Sequence, residues 1–195
     1  MTTVSRTRKL AGTAMLAAVS VVLSFLSFPV PLMPSFIKLD FAELPALIAS
    51  FAYGPIAGVA VCLVKNLIAL LKTSSGGIGT LCNFLLGVAF VVPAGVVYMK
   101  KRTRAGALLG SVTGALVMAV LSIFFNYYIV YPMYTAFMPM EAIIGMYQAI
   151  NPRVRNLWDA LIWFNTPFTF IKGLCSVVIA FIVYKPMSPF LKGKA

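Results

Sequence analysis

Long apolar segments fill almost the whole chain and are separated by short polar or proline-rich stretches. An apolar run of ~20 residues is long enough to cross the core of a bilayer as a helix. The pattern predicts one polytopic, all-α membrane domain over residues 1–195, without room for a separate soluble domain. Its six predicted spans, of which the second is short, cover residues 9–28, 41–53, 54–71, 80–99, 105–128 and 158–184.

The number of spans depends on the segment 41–71, which Tyr53-Gly54-Pro55 interrupts near its middle. If the chain turns there, it crosses six times and both termini lie in the cytoplasm. If the segment is a single helix, the chain crosses five times. The basic cluster at 100–104 then falls on the same side as Lys38, and the cytoplasmic excess of basic residues is lost.

The charge distribution favours six spans. All four acidic residues, Asp40, Glu43, Glu141 and Asp159, then lie outside, together with Lys38, Lys72, Arg153 and Arg155. The basic residues that fall inside are Arg6, Arg8, Lys9, Lys100, Lys101, Arg102, Arg104, Lys185, Lys192 and Lys194. This agrees with the positive-inside rule. The net charge of +12 therefore indicates membrane topology rather than nucleic-acid binding.

The composition argues against an enzyme. The chain contains no histidine, which excludes histidine-based triads and histidine-ligated metals. Its three cysteines have no paired spacing for zinc and are interpreted as buried, reduced thiols. No Walker-type phosphate-binding loop is present. We expect no catalytic residue, no metal and no cofactor, so binding or transport of a small solute remains.

The strongest candidate site is in the last apolar segment. Lys172 lies near its middle, where a lysine costs roughly 2.5–3.5 kcal/mol unless it faces protein, water or a ligand. On a helix it shares one face with Asn165, Thr169 and Ser176. The opposite face is apolar and consists of Phe168, Ile171, Val178 and Phe181. We hypothesise that the polar face lines a solute pocket.

Other polar residues fall at the outer side in the six-span topology. Asn83 lies near the outer end of the fourth span and Asn126 near that of the fifth. The connection 130–157, with a short helix at 140–150, is on this side too. Asp40 and Glu43 are interpreted as an N-cap and a capping-box partner. Lys65 lies at membrane depth, against either backbone carbonyls or a partner protein.

The first span carries a face of small residues formed by Ala11, Ala14 and Ala18. Faces of this kind let the backbone of another helix approach closely. The residues alone leave open whether that helix belongs to the same chain or to a partner.

Several motifs occur in a fixed order over nearly the whole chain. They are Leu39-Asp40-Phe41-Ala42-Glu43-Leu44-Pro45, Gly54-Pro55-x-x-Gly58, Lys65-Asn66-Leu67, Asn83-Phe84-Leu85-x-Gly87, Asn126-Tyr127-Tyr128-x-x-Tyr131-Pro132-x-Tyr134 and Pro167-Phe168-x-x-Ile171-Lys172-Gly173. In this order the chain resembles the riboflavin-specific substrate-binding (S) subunits of energy-coupling factor (ECF) transporters.

The resemblance implies a six-helix protein of the prokaryotic plasma membrane that binds riboflavin in an outward-facing pocket. Asn126 and Lys172 match positions that hydrogen-bond the flavin in that family. Thr169 stands where the family has an asparagine, and Asn165, one turn earlier, is a substitute for it. The full set of expected contacts is Leu39, Asp40, Asn83, Phe84, Asn126, Tyr127, Tyr131, Asn165, Thr169 and Lys172.

The resemblance also implies partners. The face of Ala11, Ala14 and Ala18 resembles the family's docking motif for a transmembrane coupling subunit, and two ATPase subunits supply the energy. Two alternatives stay open. One is an S subunit for another vitamin, such as thiamine, folate or a pyridoxine-like ring. The other is a stand-alone secondary carrier, which the absence of internal repeats and of a membrane-embedded carboxylate disfavours.

Overall fold

The computed structural model describes residues 5–31, 33–34, 37–72 and 76–191, with the backbone alone for Lys72 and for 183–191. The helices are α1 (Arg6–Phe25), α2 (Glu43–Tyr53), α3 (Pro55–Ala69), α4 (Ile78–Lys100), α5 (Arg104–Phe125), α6 (Tyr131–Tyr134), α7 (Met140–Gln148), α8 (Leu157–Ala160) and α9 (Thr166–Leu191). Two wide π-helical turns join α5 to α6 and α8 to α9, at Asn126–Val130 and Leu161–Asn165. Two short antiparallel strands, β1 (Phe28–Pro29) and β2 (Lys38–Leu39), follow α1.

Within the described residues, four helical stretches are long and apolar enough to cross a membrane. They are Arg6–Phe25, Ile78–Lys100, Arg104–Tyr134 and Leu157–Ile182, and they correspond to the first and the last three predicted spans. α2 and α3 are shorter and apolar. The count of six membrane crossings and the cytoplasmic location of the termini stay predictions. Lys192 and Lys194, which enter the charge argument, lie outside the described residues.

The chain reverses at Gly54, whose φ of 101° is a conformation that L side chains rarely adopt. α2 and α3 therefore pack side by side, with Gly58 against Ala46 and Ser50. At the open end of this hairpin, Lys65 Nζ lies 2.8 Å from Glu43 Oε1. In one straight helix these two residues would be about 33 Å apart. The single-helix alternative for residues 41–71 is therefore wrong.

α4 and α5 form the centre of the bundle. Gly110 and Gly114 of α5 face the backbone carbonyls of Ala94 and Phe90, and a Cβ atom at either glycine would overlap with them. The two helices can approach this closely because small residues on α5 repeat every four positions. α9 packs on the other side of α5, where Gly173 meets Ala115.

α1 lies at the edge of the bundle and buries just two described side chains, Ala17 and Ser20. Ser20 Oγ donates a hydrogen bond of 2.5 Å to the carbonyl oxygen of Ala42, which fixes α1 against the start of α2. The rest of the helix is exposed or half-buried in the isolated chain. Its surface must therefore be covered by lipid or by another protein.

The predicted short helix in the connection 130–157 is confirmed as α7, Met140–Gln148. It belongs to a second hydrophobic cluster, separate from the core around α4. The buried members of this cluster are Tyr131, Ile143, Tyr147, Val154, Ala160, Leu161 and Phe164. This cluster packs the connection against the two π-helical turns.

Candidate functional site

A cavity of about 540 Å³ opens at one end of the bundle. Its volume is within the range of roughly 300–1,000 Å³ that is typical of small-molecule sites. It lies beside the C-terminal end of α1, the N-terminal ends of α2 and α4, the two π-helical turns and the first half of α9. The basic cluster at 100–104, which joins α4 to α5, is at the opposite end of the bundle.

Seven of the ten predicted contact residues line this cavity. They are Asp40, Asn83, Asn126, Tyr131, Asn165, Thr169 and Lys172. They come from segments far apart in the chain, and the fold brings them together around the same cavity. Whether each one contacts a ligand stays a prediction.

The other three predicted residues do not line the cavity. Leu39 lies in β2 opposite Phe28. Phe84 is partly buried against the core of the bundle. Tyr127 stacks on Trp158, with ring centroids 4.4 Å apart. Any contribution of these three to ligand binding also stays a prediction.

The polar face of the last predicted span, which comprises α9 and the π-helical turn before it, points inward. Asn165, Thr169, Lys172 and Ser176 are all buried, and Ser176 Oγ donates to the Lys172 carbonyl at 3.2 Å. On the other side of the helix Ile171, Val178 and Phe181 are exposed, as an outward apolar face requires. Phe168 was assigned to the wrong face, because it lines the cavity.

Lys172 lies in a buried cluster of four charged side chains, which we call the charge cluster: Asp40, Glu43, Lys65 and Lys172. Lys172 Nζ is 3.1 Å from Asp40 Oδ2 and 3.3 Å from Glu43 Oε2, and the second oxygen of Glu43 accepts from Lys65. All four line the cavity. With two lysines and two carboxylates, the cluster is electrically balanced.

The charge cluster corrects two expectations. The capping-box interpretation is wrong, because α2 has Ala42 as its N-cap residue and no side-chain cap. Asp40 Oδ1 instead accepts from the Ala42 N–H at 2.9 Å, and Glu43 pairs with the two lysines. The argument from a missing membrane-embedded carboxylate also loses its basis, because Asp40 and Glu43 are buried beside Lys172 of α9. Glu43 is 3 % exposed and Asp40 7 %.

Several residues that line the cavity were missed from the sequence. Glu43 and Lys65 are the most important, and a signal for them exists, since they are equidistant in sequence from the reversal at Gly54. Cys82 is another. Like Cys175 it is half-buried, so the interpretation of all three thiols as buried is wrong for these two. The Sγ atom of Cys82 lies 3.7 Å from Asn126 Oδ1. Asn66, Tyr134 and Phe168 are further members of this group.

Two of the four asparagines that line the cavity, Asn126 and Asn165, lie in π-helical turns, a widened helical geometry that is frequent at functional sites. Asn126 begins the first turn, and its Nδ2 donates to the Ser122 carbonyl at 2.7 Å. Asn165 ends the second turn. Its Oδ1 accepts from the Tyr147 hydroxyl at 2.7 Å, and its Nδ2 donates to the Tyr131 hydroxyl at 3.0 Å.

The small-residue face of α1 points away from the bundle. Ala11, Ala14 and Ala18 are exposed, and so are the neighbouring Met15 and Val22. The interpretation that this face packs inside the same chain is therefore wrong. An exposed small-residue face beside large apolar side chains is suited to a helix from a partner protein.

The chain is similar to known proteins over nearly its whole length. A family model described as "ECF transporter, substrate-specific component" matches residues 8–184. The riboflavin transporter RibU of Staphylococcus aureus (strain TCH60) is 31% identical over 185 residues, covering 95% of this chain and 93% of that protein. The riboflavin transporter FmnP of Bacillus subtilis (strain 168) is 30% identical over 190 residues, covering 96% and 95%.

A solved structure has the same fold. It is described as "Structure and mechanism of the S component of a bacterial ECF transporter" and superimposes with a TM-score of 0.76. The two sequences are 31% identical, and the match covers 96% of this chain and 99% of the other.

Proposed function

Because the chain belongs to the substrate-specific components of ECF transporters, we propose that it captures riboflavin outside the cell and delivers it inward with an ATP-driven coupling module. The observation that carries this proposal is the end-to-end similarity to riboflavin transporters, at 30% identity or above. The cavity supports it, since seven residues expected to contact the flavin line one space of suitable volume.

The chemistry of the cavity suits a flat, carbonyl-bearing ring. Lys172 is a charged donor, and hydrogen bonds to charged groups are about twice as strong as neutral ones. Asn126 and Asn165 provide amides beside it, and Tyr131, Tyr134 and Phe168 provide ring surfaces. Riboflavin carries two carbonyls and an N–H on one edge of its ring system. We expect one of these carbonyls to accept a hydrogen bond from Lys172, either together with the Asp40 carboxylate or in its place.

The proposed orientation follows from the charges. The N-terminal basic residues and the cluster at 100–104 lie at the end of the bundle away from the cavity. The positive-inside rule assigns that end to the cytoplasm, so that the cavity opens outward. With α2 and α3 as two short crossings, the chain spans the plasma membrane six times and both termini are cytoplasmic.

We also propose how the riboflavin-bound protein is coupled to ATP hydrolysis. The exposed face of Ala11, Ala14 and Ala18 docks onto a transmembrane coupling subunit, which two ATPase subunits drive. This chain has no Walker-type loop of its own. A stand-alone carrier would transport riboflavin in membranes that lack the coupling module, whereas we expect no transport there.

The test of ligand identity is the absorption spectrum of the protein purified from cells. Riboflavin bound at one site per chain gives the yellow flavin spectrum and quenches flavin fluorescence. If the purified protein is colourless and takes up no added riboflavin, but thiamine, folate or pyridoxine raises its unfolding temperature, that vitamin is the ligand instead of riboflavin.

A further inference from the structure

Three polar side chains form a closed ring of hydrogen bonds at the edge of the cavity. The Tyr147 hydroxyl donates to Asn165 Oδ1 at 2.7 Å, and Asn165 Nδ2 donates to the Tyr131 oxygen at 3.0 Å. The two tyrosine hydroxyls also lie within hydrogen-bonding distance of each other. If Tyr131 donates to Tyr147, the three bonds run in one direction around the ring.

The structure has the amide of Asn165 in one of the two orientations that such a ring allows. The oxygen and the nitrogen of a side-chain amide have similar shapes, so packing alone does not decide between its two orientations. In this ring the oxygen points to Tyr147, whose side chain is fully buried and does not line the cavity. The nitrogen points to Tyr131, which does. Burial also raises the pKa of Tyr147, so that its hydroxyl keeps the proton it donates.

We propose that Tyr147 is a positioning residue for ligand binding, because it fixes the Asn165 amide with its NH₂ group on the cavity side. The second N–H of that group is then available to a hydrogen-bond acceptor in the cavity. This inference rests on the proposed function and deepens it. The ligand must present an acceptor, such as a ring carbonyl, to Asn165 as well as to Lys172.

Tyr147 is suited to this role because its own position is fixed by packing. It lies on α7, and its ring contacts that of Phe164 with centroids 5.4 Å apart. One residue later, Gln148 Nε2 donates to the Val154 carbonyl at 2.9 Å, which ties α7 to the chain that leads into α8. A rigid support of this kind is what a precisely oriented binding group needs.

The test compares riboflavin affinity in the wild type and in Tyr147→Phe, measured by quenching of flavin fluorescence in detergent. The substitution removes one hydroxyl from a residue that does not line the cavity. We expect affinity to fall about three- to tenfold, the size of one neutral hydrogen bond. Tyr53→Phe, which removes a hydroxyl at the opposite end of the bundle, is the matched control and should bind as the wild type does.

A cycle with Asn165→Ala separates positioning from general support of the fold. If Tyr147 acts through Asn165, Tyr147→Phe changes affinity by less than about twofold once Asn165 is alanine. An equal loss in both backgrounds would overturn the inference. So would unchanged affinity of Tyr147→Phe in the otherwise native protein.

A second variant tests the donor role without touching α7. Asn165→Asp has no N–H to give, so we expect it to lose riboflavin affinity about as much as Asn165→Ala does. If Asn165→Asp binds as tightly as the wild type, the inference is wrong even though riboflavin remains the ligand. If the wild type itself does not bind riboflavin, the proposed function fails, and the inference fails with it.

Discussion

The pair of Glu43 and Lys65 gives a quantitative test of the charge cluster. Both residues are 3 % exposed, and their ion pair of 2.8 Å closes the open end of the α2–α3 hairpin. Breaking a buried pair by removing one partner typically costs about 3–5 kcal/mol, because it leaves a buried charge without compensation. Replacing both partners with apolar residues is often neutral or stabilising.

We therefore expect Glu43→Leu and Lys65→Met each to destabilise the protein, and the double variant to recover most of the loss. Glu43→Leu should be the worse of the two, because Glu43 pairs with Lys172 as well. At about 2–4 °C per kcal/mol for a chain of this size, each single variant should lower the unfolding midpoint by roughly 6–20 °C. The double variant leaves Lys172 and Asp40 as one balanced pair.

The assay is thermal unfolding in detergent, followed by circular dichroism without ligand. Lys101→Met, which removes an exposed lysine at the other end of the bundle, is the control and should unfold at the wild-type temperature. The reasoning would be refuted if either single variant had the same unfolding midpoint as the wild type. It would also be refuted if the double variant were no more stable than the worse single one.

Three further predictions concern binding, docking and packing. Lys172→Met should weaken riboflavin binding by about one to two orders of magnitude, as expected for a bond to a charged group, and unchanged affinity would reject that role. Replacing Ala14 and Ala18 with tryptophan should leave riboflavin binding intact and stop uptake into cells, because the docking face is blocked; continued uptake would contradict the assignment. Gly114→Leu should destabilise the protein by about 1–3 kcal/mol, since a side chain there meets the Phe90 carbonyl, and wild-type thermal stability would show that the helices can separate.

Much of the fold could be predicted because a bilayer restricts what a chain can do. Long apolar runs gave the four long helices, and Gly54-Pro55 marked the reversal that the structure places at Gly54. The inward polar face of the last span followed from helical periodicity alone, since Asn165, Thr169 and Lys172 are one or two turns apart. Phe168 was misassigned because it lies at the border between the two faces.

The partners of buried charges could not be predicted in the same way. Asp40 and Lys172 are 132 residues apart, and no local pattern connects them. Local reasoning assigned Asp40 and Glu43 to a capping box, because that motif needs just four consecutive residues. The tertiary contact with two lysines overrides it. The ring around Asn165 was likewise not foreseeable, since Tyr147 comes from a connection whose path the apolar pattern does not define.

The ion pair between Asp40 and Lys172 has a consequence for how the protein is made. The carboxylates of Asp40 and Glu43 are synthesised early, and the lysine that meets them arrives with the last membrane segment. A lone lysine in the middle of that segment costs roughly 2.5–3.5 kcal/mol to insert. We expect the carboxylates of Asp40 and Glu43, which precede Lys172 in the chain, to offset this cost by pairing with the lysine when the last helix inserts.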